Sequence, residues 1–347
     1  MSALEAPQPP STAILNQETA CSPRAPALTV IIPNYRKPEL VQTCLTSLRS
    51  ALDACEDEVE VVVVDDGSND GALSGLAVEF PWAAFVGLAR NHGYPGAVNA
   101  GFRIARGEWI FTLNNDTTVH PQLLANLLRA ARSRMDVGHL AAQQRFMHDP
   151  TRLCSSGLVL DRIGVNAERL IGEPVTASET EPTEVFGASG GAALYRNQLV
   201  RELGGLDETF VFGLEDADFA WRAQMRGWRC LYVPDAVVLH DYGGTVPFGS
   251  RRRFLQAGRN RVRLVVKNAD RRMLIRYGPL MVLYDLAYVA YTLVAHRTLA
   301  PIVGRLEVLR QWRSVRRAGA TGRRPVRLAP IQGLRAALRR RAAWLHR

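Results

Sequence analysis

The sequence predicts an α/β protein, a mostly parallel sheet flanked by helices and followed by a basic helical extension. Three observations carry this. Short β-branched runs alternate with amphipathic helical stretches on the spacing of strand–helix units. Each run breaks off in a polar cluster, where the carboxyl end of a parallel strand would lie. The charge is also divided: from Arg251 onward 24 Lys and Arg face three acids, Asp270, Asp285 and Glu307, while the residues before it hold 19 basic and 30 acidic side chains. An acidic body with a basic tail calls for an anionic partner at the tail, either a membrane surface or nucleic acid. No stacking or zinc pattern accompanies the charge, so nucleic acid is not expected.

Residues 1–27, rich in Pro, Ala, Ser and Thr, read as a disordered lead-in without the basic start and apolar run of a secretory signal. Residues 28–33 form a β-branched run that stops at Pro33, as a buried strand does. Over 38–52, Leu40, Val41, Cys44, Leu45, Leu48 and Leu52 share one helical face. Residues 59–64 are almost uninterrupted valine, a strand buried on both faces, and end in Asp65-Asp66-Gly67-Ser68-Asn69-Asp70. A strand around 84–88, a loop over 90–96, a helix over 97–105 and a strand over 109–113 follow, the last ending in Asn114-Asn115-Asp116. A helix over 121–132 has Pro121 in its first turn. From 137 to 191 the pattern weakens into short apolar pieces and loops, with an exposed excursion over 173–184. Order returns with a glycine-rich stretch at 187–191 and a helix over 197–203. A second helix opens on Glu215-Asp216-Ala217-Asp218 and ends near Gly227, and a buried strand over 233–239 delivers His240. The five cysteines are scattered without a Cys-x-x-Cys pair, which suggests neither a disulfide framework nor a cysteine-rich zinc site and suits a reducing cytoplasm.

Four clusters offer chemistry. A carboxylate at Asp65 or Asp66 can accept the imino N–H of a pyrimidine ring, or the segment is an Asp-Gly turn capped by Ser68 and Asp70. Asn114, Asn115 and Asp116 place oxygen ligands where a divalent ion could bridge two phosphates, or form a simple helix-entry loop. Glu215, Asp216 and Asp218 repel one another, so one can keep a raised pKa and act as a general base. The same acids also suit the first turn of a helix. His240 at a strand end is either a satisfied structural histidine or an imidazole ligand for the same ion.

In this order the clusters resemble family 2 glycosyltransferases of the GT-A fold, within them the bacterial rhamnosyltransferase-like branch. The stretches that match are Val30-Ile-Ile-Pro-Asn-Tyr35, Val63-Val-Asp-Asp-Gly-Ser-Asn-Asp-Gly71, Asn91-His-Gly-Tyr-Pro-Gly-Ala-Val-Asn-Ala-Gly101 and Gly107-Glu-Trp-Ile-Phe-Thr-Leu-Asn-Asn-Asp116. Gly204-Gly-Leu-Asp-Glu-Thr-Phe210, Glu215-Asp-Ala-Asp218 and Tyr232-Val-Pro-Asp-Ala-Val-Val-Leu-His240 complete the set, which covers about two-thirds of the chain. The resemblance implies a nucleotide-binding catalytic domain over 28–250 that transfers a sugar, rhamnose-like or hexose, from a dTDP- or UDP-linked donor to a glycan or polyprenyl-linked acceptor, with inversion. It implies that Pro33, Tyr35, Asp65, Asp66, Arg90, Asn91, Asn115, Gly190 and Glu215 surround the nucleotide sugar. Asp116 and His240, with Asn114, would hold Mg2+ or Mn2+, and Asp216 would be the catalytic base. Asn114 departs from the family's usual Asp, which lowers the expected affinity for a hard cation.

Two other readings stay open. One is a nucleotidyltransferase making sugar nucleotides, for which Asn34-Tyr35-Arg36-Lys37 is a poor phosphate loop. The other is a catalytically weakened, membrane-bound partner. No Gly-x-Gly-x-x-Gly follows the first strand, which excludes a dinucleotide-dependent oxidoreductase. The tail, 251–347, reads as a membrane-associating extension. Its apolar stretch, 277–295, approaches a bilayer span in length but carries Asp285 near its centre, which favours a helix lying in the interface. Helical spacing recurs at Leu306, Leu309, Trp312 and Val315, and again at Leu334, Leu338 and Leu345. The expected location is the cytoplasm, at the inner face of the plasma membrane, with the oligomeric state left open.

Overall fold

The computed structural model describes residues 12–14, 25–242, 249–319 and 324–331. In chain order the first half holds strand β1 (Thr12–Ile14), β2 (Leu28–Asn34), helix α1 (Pro38–Asp53), β3 (Val59–Asp65), α2 (Ala72–Glu79), β4 (Ala83–Leu88), α3 (Tyr94–Ile104), β5 (Trp109–Leu113), β6 (Thr117–Val119) and α4 (Leu123–Ala131). Then come β7 (Val137–Phe146), β8 (Leu153–Ser155), β9 (Leu158–Leu160), β10 (Asn166–Glu168), β11 (Thr183–Val185), β12 (Ala192–Arg196), α5 (Asn197–Leu203), α6 (Glu215–Arg226) and β13 (Arg229–His240). The basic tail supplies α7 (Arg251–Asn268), α8 (Arg271–His296), α9 (Ala300–Arg310) and α10 (Trp312–Arg317).

The main sheet runs β1-β4-β3-β2-β5-β12-β7-β13-β11. Its β4-β3-β2-β5 half is parallel throughout, because a helix crosses between successive strands. Beyond β5 it turns mixed: β12 is antiparallel to both β5 and β7, while β13 is parallel to β7. The valine run of β3 is explained by two-sided burial. Val61 and Val63 face a core with α1, α2 and α4, whereas Val62 and Val64 face a core with α3, α5 and α6.

Three expectations change. Residues 1–27 are not wholly a disordered lead-in, since β1 pairs antiparallel with the edge strand β4, Thr12 opposite Leu88. Helix α3 starts at Tyr94, not 97, because Pro95 sits in its first turn, where a missing N–H costs nothing. The weakly patterned stretch from 137 holds β7, a ten-residue strand between β12 and β13. It escaped the pattern because His139, Gln143 and Gln144 are buried polar residues inside it.

A third core joins the tail to the body. Ala217, Ala220 and Trp221 of α6 pack with Leu264 and Val265 of α7, with Met273 and Met281 of α8, and with the β9–β10 hairpin. Helix α8 is long and apolar enough to cross a membrane and is mostly exposed, with Ile275, Val282, Leu283, Leu286 and Val294 uncovered. Its Asp285 accepts from Arg305 of α9, Nη2 at 2.6 Å. Leu306, Leu309 and Trp312 are exposed and Val315 is buried. Leu334, Leu338 and Leu345 lie outside the described residues.

Candidate active site

The polar clusters gather at the carboxyl ends of β2, β3 and β5, as parallel topology requires. Asn34, at the end of β2, ties three of them together. Its Nδ2 donates to Asp65 Oδ1 at 3.1 Å, and its Oδ1 accepts from Asn115 Nδ2 at 2.9 Å. Asp65 also accepts from the Ser68 amide at 2.9 Å and hydroxyl at 2.5 Å. Ser68 in turn accepts from the Arg36 amide at 2.8 Å. Pro33 is buried in β2 and Tyr35 is half-buried just beyond it, with the Arg36 guanidinium 5.1 Å from its ring.

Asp66 takes a different direction. Its two carboxylate oxygens accept from the amides of His92 at 2.7 Å and Gly93 at 2.8 Å. Each oxygen keeps a further lone pair. Burial outweighs these two bonds and pushes the carboxyl up to about 6. Gly67 has φ +72°, and a Cβ there would stand 2.4 Å from the Arg90 carbonyl carbon, so only glycine lets the Asp-Asp turn close on the 90–93 loop. Asn91 Nδ2 donates to the Asp66 carbonyl at 3.3 Å, and the side chains of Arg90 and Asn91 are exposed.

On the other side of β5, Asp116 and His240 meet. Strand β13 pairs with β6 so that His240 lies opposite Thr117. His240 Nε2 is 3.1 Å from Asp116 Oδ1, and both side chains are buried. Its Nδ1 is 2.9 Å from Gln144 Oε1 of β7. With that amide oxygen as acceptor, the ring proton sits on Nδ1 and the Nε2 lone pair points at a carboxylate oxygen that has no hydrogen-bond donor. An imidazole nitrogen and a carboxylate oxygen so placed could hold a divalent cation. Two ligand atoms at right angles on an ion with bonds of about 2.1 Å stand roughly 3.0 Å apart, close to the observed separation. Asn114 Oδ1 is a second buried oxygen without a donor. Gly191 makes the space, since a Cβ on it would lie 2.8 Å from His240 Cε1. Among the described residues no three His, Cys, Asp or Glu side chains form a closed cage.

The glycine-rich loop connects this pair to the acids of α6. Gly191 accepts from the Asn114 amide at 2.9 Å, and the Gly190 amide donates to Asp216 Oδ2 at 3.1 Å. Tyr94 fixes that peptide by donating from its hydroxyl to the Gly190 carbonyl at 2.6 Å. Asp216 Oδ1 accepts from the Ala217 amide at 2.7 Å. Burial pushes the carboxyls of Glu215 and Asp216 upward, and their mutual repulsion adds to the rise at Glu215.

The sequence assigns no role to Gln144, to Glu168 or to Tyr94, although Tyr94 stands within the matching stretch 91–101; the structure places all three beside the site. Gln144 and Tyr94 are neutral residues inside regular elements. Glu168 sits in β10, in the unpatterned stretch; burial, reinforced by Asp216, pushes its carboxyl up to about 8.

Residues 29–204, half of the chain, match the sequence pattern described as Glycosyl transferase family 2. The chain belongs to glycosyl transferase family 2. Within this family, an undecaprenyl-phosphate 4-deoxy-4-formamido-L-arabinose transferase from Aeromonas hydrophila is 33% identical over 114 residues, 32% of this chain and 35% of that protein. The family 2 chain therefore spans about a third of that relative's length. An N-acetylglucosaminyl-diphospho-decaprenol L-rhamnosyltransferase from Mycobacterium tuberculosis is 29% identical over 241 residues, 61% of this chain and 75% of the relative. A mannosyltransferase from Pyrobaculum calidifontis, solved in complex with GDP-Man and Mn2+, has the same fold, GT-A, with TM-score 0.53 and 22% identity over 85% of this chain and 84% of that one.

Proposed function

We propose that this chain transfers a rhamnose-like deoxysugar or hexose from a dTDP- or UDP-linked donor to a glycan or polyprenyl-linked acceptor in cell-envelope polysaccharide synthesis, with inversion at the anomeric carbon. The observation that carries this reading is the buried Asp116–His240 pair, joined through the 190–191 loop to Asp216. The named activities of the arabinose and rhamnosyl transferase relatives support it.

Asp216 is the base. It removes the proton of an acceptor hydroxyl as that oxygen bonds to the anomeric carbon, and the bond from that carbon to the diphosphate breaks on the opposite face. Its burial raises the proton affinity that the step uses, and the Gly190 and Ala217 amides hold it in place. Asp66 keeps lone pairs for the imino N–H of a pyrimidine base, and Pro33, Tyr35, Asp65, Arg90, Asn91 and Asn115 border the nucleotide. Asp116, His240 and Asn114 would hold Mg2+ or Mn2+, which neutralises the departing diphosphate when bound. A thermal-shift panel of nucleotide sugars, with and without Mn2+, tests this. Stabilisation by a uridine or thymidine diphosphate sugar that needs Mn2+ is expected; no response to any sugar nucleotide sinks the reading.

Helix α8 and the arginines around it bind the inner face of the plasma membrane peripherally. The exposed apolar residues of α8 and the neutralisation of Asp285 by Arg305 support this. Co-sedimentation with phosphatidylglycerol vesicles at low salt is expected, and its absence there contradicts the assignment.

A further inference from the structure

We propose that Glu168 holds the acceptor sugar beside Asp216, by hydrogen bonding a hydroxyl next to the one that is glycosylated. This rests on the reading of Asp216 as the base.

The β9–β10 hairpin stands apart from the main sheet and is tied to the 187–191 loop by a bond from the Leu158 amide to the Gly187 carbonyl at 2.7 Å. That tie brings Glu168 over Ser189, whose hydroxyl donates to Oε1 at 3.0 Å. Ser189 precedes the glycine whose amide fastens Asp216. The other oxygen, Glu168 Oε2, is shielded from solvent and has no hydrogen-bond partner. Its charged and titratable surroundings are Asp216 and Tyr242, and the nearby Ser155 hydroxyl donates to the Gly157 carbonyl at 3.2 Å.

If Glu168 served only to anchor Ser189, a glutamine would make the same bond without placing an acid beside an acid. A buried oxygen left without a partner is unfavourable unless something that binds there completes it. Glu168 is linked through Ser189 and Gly190 to the residue proposed to receive the acceptor's proton, and Asp216 is close enough to raise its carboxyl, so the binding partner is a polyhydroxylated acceptor. Burial and Asp216 push its carboxyl up to about 8, and in its protonated form Glu168 both donates to and accepts from a sugar hydroxyl. It thereby selects which hydroxyl faces Asp216.

The test compares wild type, E168A, E168Q and D216N as full chains. The donor is the sugar nucleotide picked out by the thermal-shift panel, and the acceptors are N-acetylglucosaminyl-diphospho-decaprenol and its monodeoxy analogues. E168A is expected to raise the acceptor KM roughly tenfold or more while the donor KM stays within about twofold. One monodeoxy analogue should cost wild type a similar factor and cost E168A nothing. E168Q, which keeps the Ser189 bond and the fold, should fall between the two. An unchanged acceptor KM in both Glu168 variants overturns the proposal and leaves a bound water as the partner of Oε2. An equal loss against every analogue overturns it too. Normal turnover by D216N would instead remove the base assignment, independently of the acceptor KM split at Glu168.

Discussion

Lys267, on the first helix of the basic tail, lies 2.8 Å from Asp218, two residues after the proposed base. Asp218 is fully buried and also accepts from Arg222 at 2.7 Å and Asn268 at 2.8 Å, while Lys267 reaches Asp207 at 2.6 Å. Asn260 of the same helix donates to the carbonyls of Phe210, Phe212 and Gly213. Helix α7 thus clamps the 207–214 loop that leads into Glu215 and Asp216, and it is part of the catalytic body in structural terms.

Breaking this network should be costly. K267A leaves a buried carboxylate short of a partner, at about 3 kcal/mol. Thermal unfolding should show a fall in Tm of roughly 4 °C. A change of a degree or less would mean that the clamp is dispensable.

Gln144 Oε1 lies 2.9 Å from His240 Nδ1 and orients the ring, so its loss should appear in metal binding before anything else. Q144L is expected to weaken Mn2+ about 10- to 100-fold, measured by calorimetry with UDP present, since removing the support of a histidine ligand has effects of that size. Mn2+ affinity equal to wild type would release His240 from the ligand set.

Asn114 makes the opposite prediction. Its Oδ1 is buried without a donor, and a carboxylate there would add charge to the same set. N114D should tighten Mn2+ in the same titration. Weaker binding would show that residue 114 does not face the ion.

Much of this was legible in the residues. The strand–loop corners at Asp65, Asp66, Asn114, Asn115 and Asp116 stand out because a two-sided apolar strand ends abruptly in polar residues. His240 was legible for the same reason. Strand β7 was not, because periodicity treats Gln143 and Gln144 as outward-facing; in fact Gln143 donates to the Tyr232 hydroxyl at 2.7 Å inside the protein. The inward arginines of α7 were hidden likewise. Arg261 turns to the carbonyls of Ile163 and Gly164, and Arg263 to the Thr209 hydroxyl at 2.7 Å, so residues that read as a solvated basic face are structural. Glu168 needed the fold itself, because only the β9–β10 hairpin carries it to Ser189.

The central claim is that Asp216 takes the acceptor's proton while the nucleotide sugar is bound by other residues. Measuring sugar transfer and donor affinity side by side in D216N tests it most directly. Transfer should fall by about 1,000-fold or more, with the donor Kd within about threefold of wild type. Transfer at the wild-type rate would contradict the account.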